Sequence, residues 1–410
     1  APLRNEGEAT AGGRILEVLD WIEHFKELGI NAIYFGPIFE SVSHGYDTTD
    51  YYQTDSRLGS KEDFKKVFTA LHENGIRVIV DGVFNHVGRK FFAFLDVQKN
   101  LEQSDYKDWF CNLNFSWQSP LGDSFSYENW HGAAELVKLN LRNPAVCEHL
   151  LGAVGMWMDE LGIDGLRLDA ADCVDREFFK RLHSFTKGKR EDFWLMGEII
   201  HGDYRVWAND EMLDSVTNYE CWKGIYSSHN DKNYFEIAYS LKRQFGQGGL
   251  YENLCLYNFL DNHDVNRIGS LLKQRENLKN AYTLLYMMPG IPSIYYGSEW
   301  GIEGVKGQGM DADLPLRPKL DLEEMCAQET ALPAHIRELA KIRKESDAVK
   351  YGAYDEVLVR NKQFVFARRS GEQYKVIALN LTDHAETLHF SYQGKEYEVL
   401  LEAYTSKIME

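Results

Sequence analysis

Apolar positions along this chain alternate between two spacings. Residues 15–28 carry them at helical spacing and lead through Gly29 into a short apolar run, 30–35, of the kind a buried strand shows. The pair then repeats: 61–74 reads as a helix ended by Gly75, and 77–81 as a strand. Further on come helix 147–161, strand 165–169, helix 177–186 and strand 193–198, with 215–219, 254–260 and 293–296 as more strand runs. Strand–helix alternation predicts a parallel sheet with crossover helices. For 410 residues a closed (β/α)8 barrel fits better than an open doubly wound sheet.

Two stretches break the alternation. Residues 87–143 are aromatic, polar and irregular, with Trp109, Phe115, Trp117, Tyr127 and Trp130. That is too long for an ordinary loop and predicts an inserted subdomain after the third strand. From residue 349 five short strands are expected, 356–360, 363–368, 375–381, 386–390 and 397–401, with turns at Ser370-Gly371 and Gln393-Gly394. They predict a C-terminal antiparallel β-domain over 349–410, leaving the barrel as 1–86 and 144–348. Residues 1–13 hold no strand-like run and read as a loop. A barrel short of one strand exposes two unpaired edges, so the first barrel strand is expected in a native segment before Ala1.

Composition narrows the partners. The net charge of −18 sets the chain against phosphate-bearing surfaces, which excludes nucleic acid and acidic membranes and favours a neutral or cationic substrate. No run approaches the roughly 20 apolar residues a membrane helix needs. The six cysteines, Cys111, Cys147, Cys173, Cys221, Cys255 and Cys326, show no short spacing, so no zinc or CxxC motif is present. They read as reduced thiols and hence as a cytoplasmic chain. Aromatics make up 13%; most fill the core, and some can stack on the apolar faces of sugar rings. The sequence carries no signal of oligomeric state.

Acidic residues recur where apolar runs end. Val78-Ile79-Val80-Asp81 leads into Gly82-Val83-Phe84-Asn85-His86. Gly165-Leu166-Arg167-Leu168 ends in Asp169, Trp194-Leu195-Met196-Gly197 in Glu198, and Tyr257-Asn258-Phe259-Leu260 in Asp261-Asn262-His263-Asp264. In a barrel these ends converge on one face. One such acid is adequately explained as a helix cap; four with Arg, His and Asn beside them are not. Cleaving a glycoside with retention takes one carboxylate as nucleophile and one carboxylic acid for the leaving oxygen, about 5 Å apart. A third carboxylate can stabilise the positive charge of the transition state. Arg167, two residues before Asp169 on a strand, shares its face and can hold it ionised.

The segments at Asp81–His86, Gly165–Asp169, Gly197–His201 and Phe259–Asp264, in this order, resemble the four signature regions of the α-amylase family of glycoside hydrolases. The resemblance implies Asp169 as nucleophile, Glu198 as general acid/base and Asp264 as transition-state stabiliser, with Arg167, His86 and His263 lining the subsite of the cleaved glucose. His44-Gly45-Tyr46-Asp47 resembles the family's loop after the second strand, which implies Tyr46 stacked on the glucose and Asp47 supporting it. Asp313 and Arg317 resemble the acid and arginine in the loop beyond the eighth strand. Leu136-Val137-Lys138-Leu139-Asn140 resembles the Met-Pro-Lys-Leu-Asn motif of the neopullulanase and cyclomaltodextrinase group, and His201 fits that group too. That group opens cyclodextrins and cuts maltooligosaccharides and pullulan at α-1,4 and α-1,6 bonds. Leu-Val for Met-Pro is a departure, and the group's N-terminal β-domain has no counterpart in residues 1–410. In many relatives an Asn like Asn85 helps bind structural calcium; no dense Asp/Asn loop accompanies it here, so structural calcium stays open without being predicted, and no cofactor is required. Two other outcomes share these residues: transfer or isomerisation from the same covalent intermediate, and a non-catalytic glycan- or partner-binding protein. The second is expected to lack the nucleophile or the acid/base, and this chain has both.

Overall fold

A computed structural model describes residues 13–309, 312–328 and 330–410. Seven parallel strands follow one another in both sequence and space: β1 Ala32–Phe35, β2 Arg77–Gly82, β3 Gly165–Leu168, β4 Trp194–Gly197, β5 Ser215–Val216, β6 Tyr257–Phe259 and β7 Ile291–Ser293. β1 to β5 form one sheet, β6 pairs with β7, and a parallel bridge between Thr217 and Tyr257 joins the two sets. Each strand lies beside the next in the chain, which is the order of a singly wound barrel. The expectation about a strand at or before residues 1–13 falls outside the described residues, apart from Gly13. Among the described residues, nothing pairs with the free edges of β1 and β7, and both strands are only half-buried. The two ends nevertheless meet: His24, ahead of β1, reaches Glu299, beyond β7, at 2.9 Å.

The outer helices arise from local rules. In Lys61–Glu73, Ser60 and Asp63 make a reciprocal capping box, worth about 1 kcal/mol, and Gly75 leaves the helix at φ 73°. Phe64, Val67, Phe68 and Leu71 fall at i, i+3, i+4 and i+7 and are all buried, each contributing roughly 2 kcal/mol of apolar transfer. The stretch 15–28 differs from expectation. It is a 3-10 helix, Arg14–Trp21, that relaxes to α only over Ile22–Glu27. The eighth-strand reading shifts as well: the strand is Ile291–Ser293, and 294–296 lie outside it. Gly290, at φ 110°, precedes that strand and passes so close to Leu256 that an added Cβ would meet its carbonyl at 2.5 Å. Residue 161 ends a π-turn, Trp157–Leu161, that follows the α-helix Pro144–Met156.

The stretch 87–143 is less irregular than expected. It holds a helix, Phe92–Asn100, and a three-stranded antiparallel sheet in which Ala133–Lys138 pairs with both His86–Gly88 and Asn129–Trp130. That pairing joins residues some 50 positions apart, which no local spacing predicts. At the C-terminus, Ala353–Val359, Gln363–Ser370, Gln373–Asn380 and Ser406–Met409 make one antiparallel sheet, and Glu386–Tyr392 with Lys395–Leu401 a hairpin. Residues alternate across Gln363–Ser370. Val365 and Ala367 face the hairpin, whereas Phe364 and Phe366 join the barrel core.

Candidate active site

The carboxylates stand just past strand ends. Asp169 N–H donates to the Gly82 carbonyl at 3.1 Å and Glu198 N–H to the Leu168 carbonyl at 3.0 Å, so each backbone still follows its neighbouring strand. Arg167 is their common partner and is 3% exposed. Its Nη1 donates to Asp169 Oδ1 at 2.9 Å and to Asp81 Oδ1 at 3.0 Å, and its Nη2 lies 2.8 Å from Glu198 Oε2. Next to Asp169, Ala170 adopts a left-handed backbone at φ 44°, a strained choice for a residue with a side chain. This turns its N–H toward Glu198 Oε2 at 3.2 Å.

Asp264 lies on the loop after β6. Asn262 Oδ1 accepts from the Asp264 and Val265 N–H groups, an Asx turn that fixes the backbone at Asp264. Arg317 Nη2 donates to Asp264 at 3.1 Å and to Asp313 at 3.0 Å, and Lys306 lies 2.9 Å from Asp313. His263 Nε2 is 3.0 Å from Asp264 and 2.7 Å from the Tyr46 hydroxyl, which also donates to Asp81. His86 Nε2 sits 4.0 Å from Asp169 Oδ2 and, among the described residues, is buried without a hydrogen-bond partner. Asn85 Nδ2 meets His86 Nδ1 at 3.1 Å. Asp47 works inside its own loop, accepting from the Ser43 N–H and hydroxyl.

Electrostatics follow from this crowding. Burial raises the Asp169 carboxyl well above its usual range, and Asp81, Glu198 and Asp264 add to the rise against the pull of Arg167. Burial likewise raises Asp81 and Asp264. The Arg167 guanidinium does not offset the burial of Asp81 and Asp169. Burial lowers His86 to about 4, and burial with Arg167 and Arg317 lowers His263 to about 3. Both rings are therefore neutral when the carboxylates act.

The structure thus gathers Asp169, Glu198, Asp264, Arg167, His86, His263, Tyr46, Asp313 and Arg317 into one network. The chain belongs to the α-amylase family. A family model described as the α-amylase catalytic domain matches residues 5–331. The chain is 31% identical over 387 residues to a cyclomaltodextrinase of a Bacillus species, covering 92% of this chain and 67% of that protein. It is 36% identical over 309 residues to neopullulanase 2 of Thermoactinomyces vulgaris, covering 72% and 50%. It thus spans about two thirds or less of the length of these curated relatives. Among solved structures, the cyclic α-maltosyl-(1→6)-maltose hydrolase of Arthrobacter globiformis superposes with a TM-score of 0.86 at 27% identity, covering 100% of this chain and 91% of that one. In this family setting the eight-stranded (β/α) barrel with a C-terminal antiparallel sheet is the fold.

Two sequence-predicted residues are not brought in: Asp47, which bonds Ser43 within its own loop, and His201. His201 is exposed beyond Glu198 and outside the described hydrogen-bond network, because Ile199 N–H bonds to Thr217 and the chain then turns out to solvent at Gly202, φ 107°. Three more residues join the network: Asp81, noted at a strand end but given no role, Tyr34, whose hydroxyl donates to Asp81 at 2.8 Å, and Lys306. Asp81 carried the same strand-end signal as Asp169; Tyr34 and Lys306 carried none. All six cysteines are free, and no described helix is long and apolar enough to cross a membrane.

Proposed function

We propose that this chain hydrolyses α-glucosidic bonds, mainly α-1,4 and also α-1,6, in cyclic and short-chain α-glucans, with retention of configuration. Asp169 attacks the anomeric carbon while Glu198 gives its proton to the departing glycosidic oxygen. Water then opens the glycosyl ester on Asp169 and returns a proton to Glu198, so two inversions restore the anomer. Asp264 faces the positive charge that develops between these steps. His86, His263 and Tyr46 hold the glucose; Asp313 and Arg317 hold Asp264. The observation that carries this reading is that the two ends of the Arg167 guanidinium reach Asp169 and Glu198. That turns both carboxylates toward one centre, where one can attack while the other gives up its proton. The names of the similar proteins support the substrate class, and the unpaired cysteines support a cytoplasmic setting.

The test is to incubate the protein with β-cyclodextrin, maltotriose, pullulan and starch and follow the first-formed anomer by proton NMR. The expected result is an α-anomeric product, with β-cyclodextrin and maltotriose consumed faster than starch. A β-anomer rules out the covalent route. Longer or isomerised sugars as the main product at high substrate point to transfer instead.

A further inference from the structure

The loops after β6 and β7 meet in a chain of alternating charges that ends on Asp264. Arg317 Nη2 is a single nitrogen shared by two carboxylates, Asp264 Oδ1 at 3.1 Å and Asp313 Oδ2 at 3.0 Å. The other oxygen of Asp313, Oδ1, is buried and has no hydrogen-bond partner among the described residues. The Lys306 ammonium stands 2.9 Å from it, as a charge rather than a directed donor. Lys306 is itself tied to the loop after β6. Its N–H donates to Asn266 Oδ1 at 2.7 Å, and its Nζ donates to the Asp264 carbonyl at 3.2 Å. Arg317 Nε donates to the neighbouring His263 carbonyl at 3.1 Å.

The Lys306 side chain is 44% exposed, and an exposed ion pair contributes at most about 1 kcal/mol. The shared nitrogen gives this pair a consequence beyond its own strength. Without Lys306, Asp313 faces Arg317 alone and competes with Asp264 for the same N–H. With Lys306 in place, part of that demand is met from the far side of Asp313. The charges around Asp264 follow the same pattern. Burial raises its carboxyl; Arg167, Arg317 and Lys306 pull it down, and Asp313 pushes it up.

We propose that Lys306 is a positioning residue for the reaction: by engaging Asp313 it leaves Arg317 to hold Asp264 where positive charge develops on the glucose. This rests on Asp264 having the role given above. Lys306 acts through Asp313 and Arg317, not on the sugar itself. Its contribution falls on the step in which the charge develops, so it enters kcat and leaves KM unchanged.

The test is steady-state kinetics on maltotriose and β-cyclodextrin with the full chain, comparing the wild type, K306M, K306R, D313N and the double variant K306M/D313N. K306M is expected to lower kcat about threefold, within the range of an exposed ion pair, and K306R to keep the wild-type value. In the D313N background K306M is expected to change kcat by less than about 1.5-fold, because the intermediary is gone. A wild-type kcat in K306M, a loss confined to KM, a threefold loss that persists in the D313N background, or a K306R no better than K306M overturns the proposal. Hydrogen exchange over residues 261–268, read by mass spectrometry, needs no turnover. It is expected to be faster in K306M than in the wild type and K306R. A wild type that leaves both sugars intact overturns the proposed function instead; the exchange comparison then decides this inference by itself, and equal exchange in K306M and wild type rejects it.

Discussion

Tyr46 and His263 are joined by a 2.7 Å hydrogen bond while their rings lie parallel, 4° apart with centroids at 5.9 Å. One comes from the loop after β1 and the other from the loop after β6, so this contact spans the barrel mouth. The same tyrosine hydroxyl donates to Asp81. Y46F keeps the ring face and deletes both bonds. A buried hydrogen bond lost on one side costs about 1–2 kcal/mol, so kcat/KM is expected to fall about tenfold. Measured on maltotriose, an unchanged value removes the hydroxyl from the reaction.

Glu198 is proposed to protonate the leaving oxygen. E198Q is expected to lower kcat on maltooligosaccharides about a hundredfold or more, the usual share of general acid catalysis. The loss is expected to be smaller with maltosyl fluoride in the first step, because fluoride departs without a proton. Equal losses on both substrates count against the acid role.

Arg167 is buried among Asp81, Asp169 and Glu198. R167M leaves three carboxylates without their counter-ion, a change of about 3–5 kcal/mol when one partner of a buried pair is removed. Burial has already raised Asp81 and Asp169, and loss of the arginine raises them further. Their protonation relieves the repulsion, so urea denaturation is expected to show R167M recovering stability toward the wild type as pH falls from 7 to 5. A gap between the two proteins that does not change with pH contradicts this.

Asp261 is 2% exposed and accepts from the Ile268 N–H and the Ser298 hydroxyl, both at 2.7 Å. Burial raises it from 3.8 to about 6. The folded state therefore holds this proton more tightly than the unfolded chain does. The stabilisation is complete below pH 3.8 and is lost as pH rises through about 6. Two pH units correspond to about 3 kcal/mol. D261N mimics the protonated form, so wild type minus D261N stability is expected to decline by that amount between pH 4 and 7, read from urea midpoints at each pH.

The strand ends and their acids were legible because an apolar run that stops at Asp or Glu is a local signal. Gly165-Leu166-Arg167-Leu168-Asp169 states its own geometry: at period two, Arg167 and Asp169 share a face, and they meet at 2.9 Å. Tyr34 sits within β1, where an aromatic residue reads as core. Nothing near it in sequence announces Asp81, 47 residues away, as its partner. Lys306 meets Asp313 through a loop whose path local spacing does not encode. The 3-10 winding of Arg14–Trp21 escaped for another reason: apolar residues three and four apart satisfy either kind of helix.

The strand Gln363–Ser370 has no solvent face over its first six residues. Phe364 and Phe366, with Ile377 and Leu379 from the next strand, are fully buried against the barrel. Four such side chains amount to roughly 8 kcal/mol of apolar transfer, as large as the whole stability of a typical domain. The C-terminal sandwich and the barrel are therefore bound into one cooperative unit. Heat or denaturant is expected to melt them in a single transition, and cutting the chain near residue 349 is expected to give two pieces that each expose a core surface rather than two working halves.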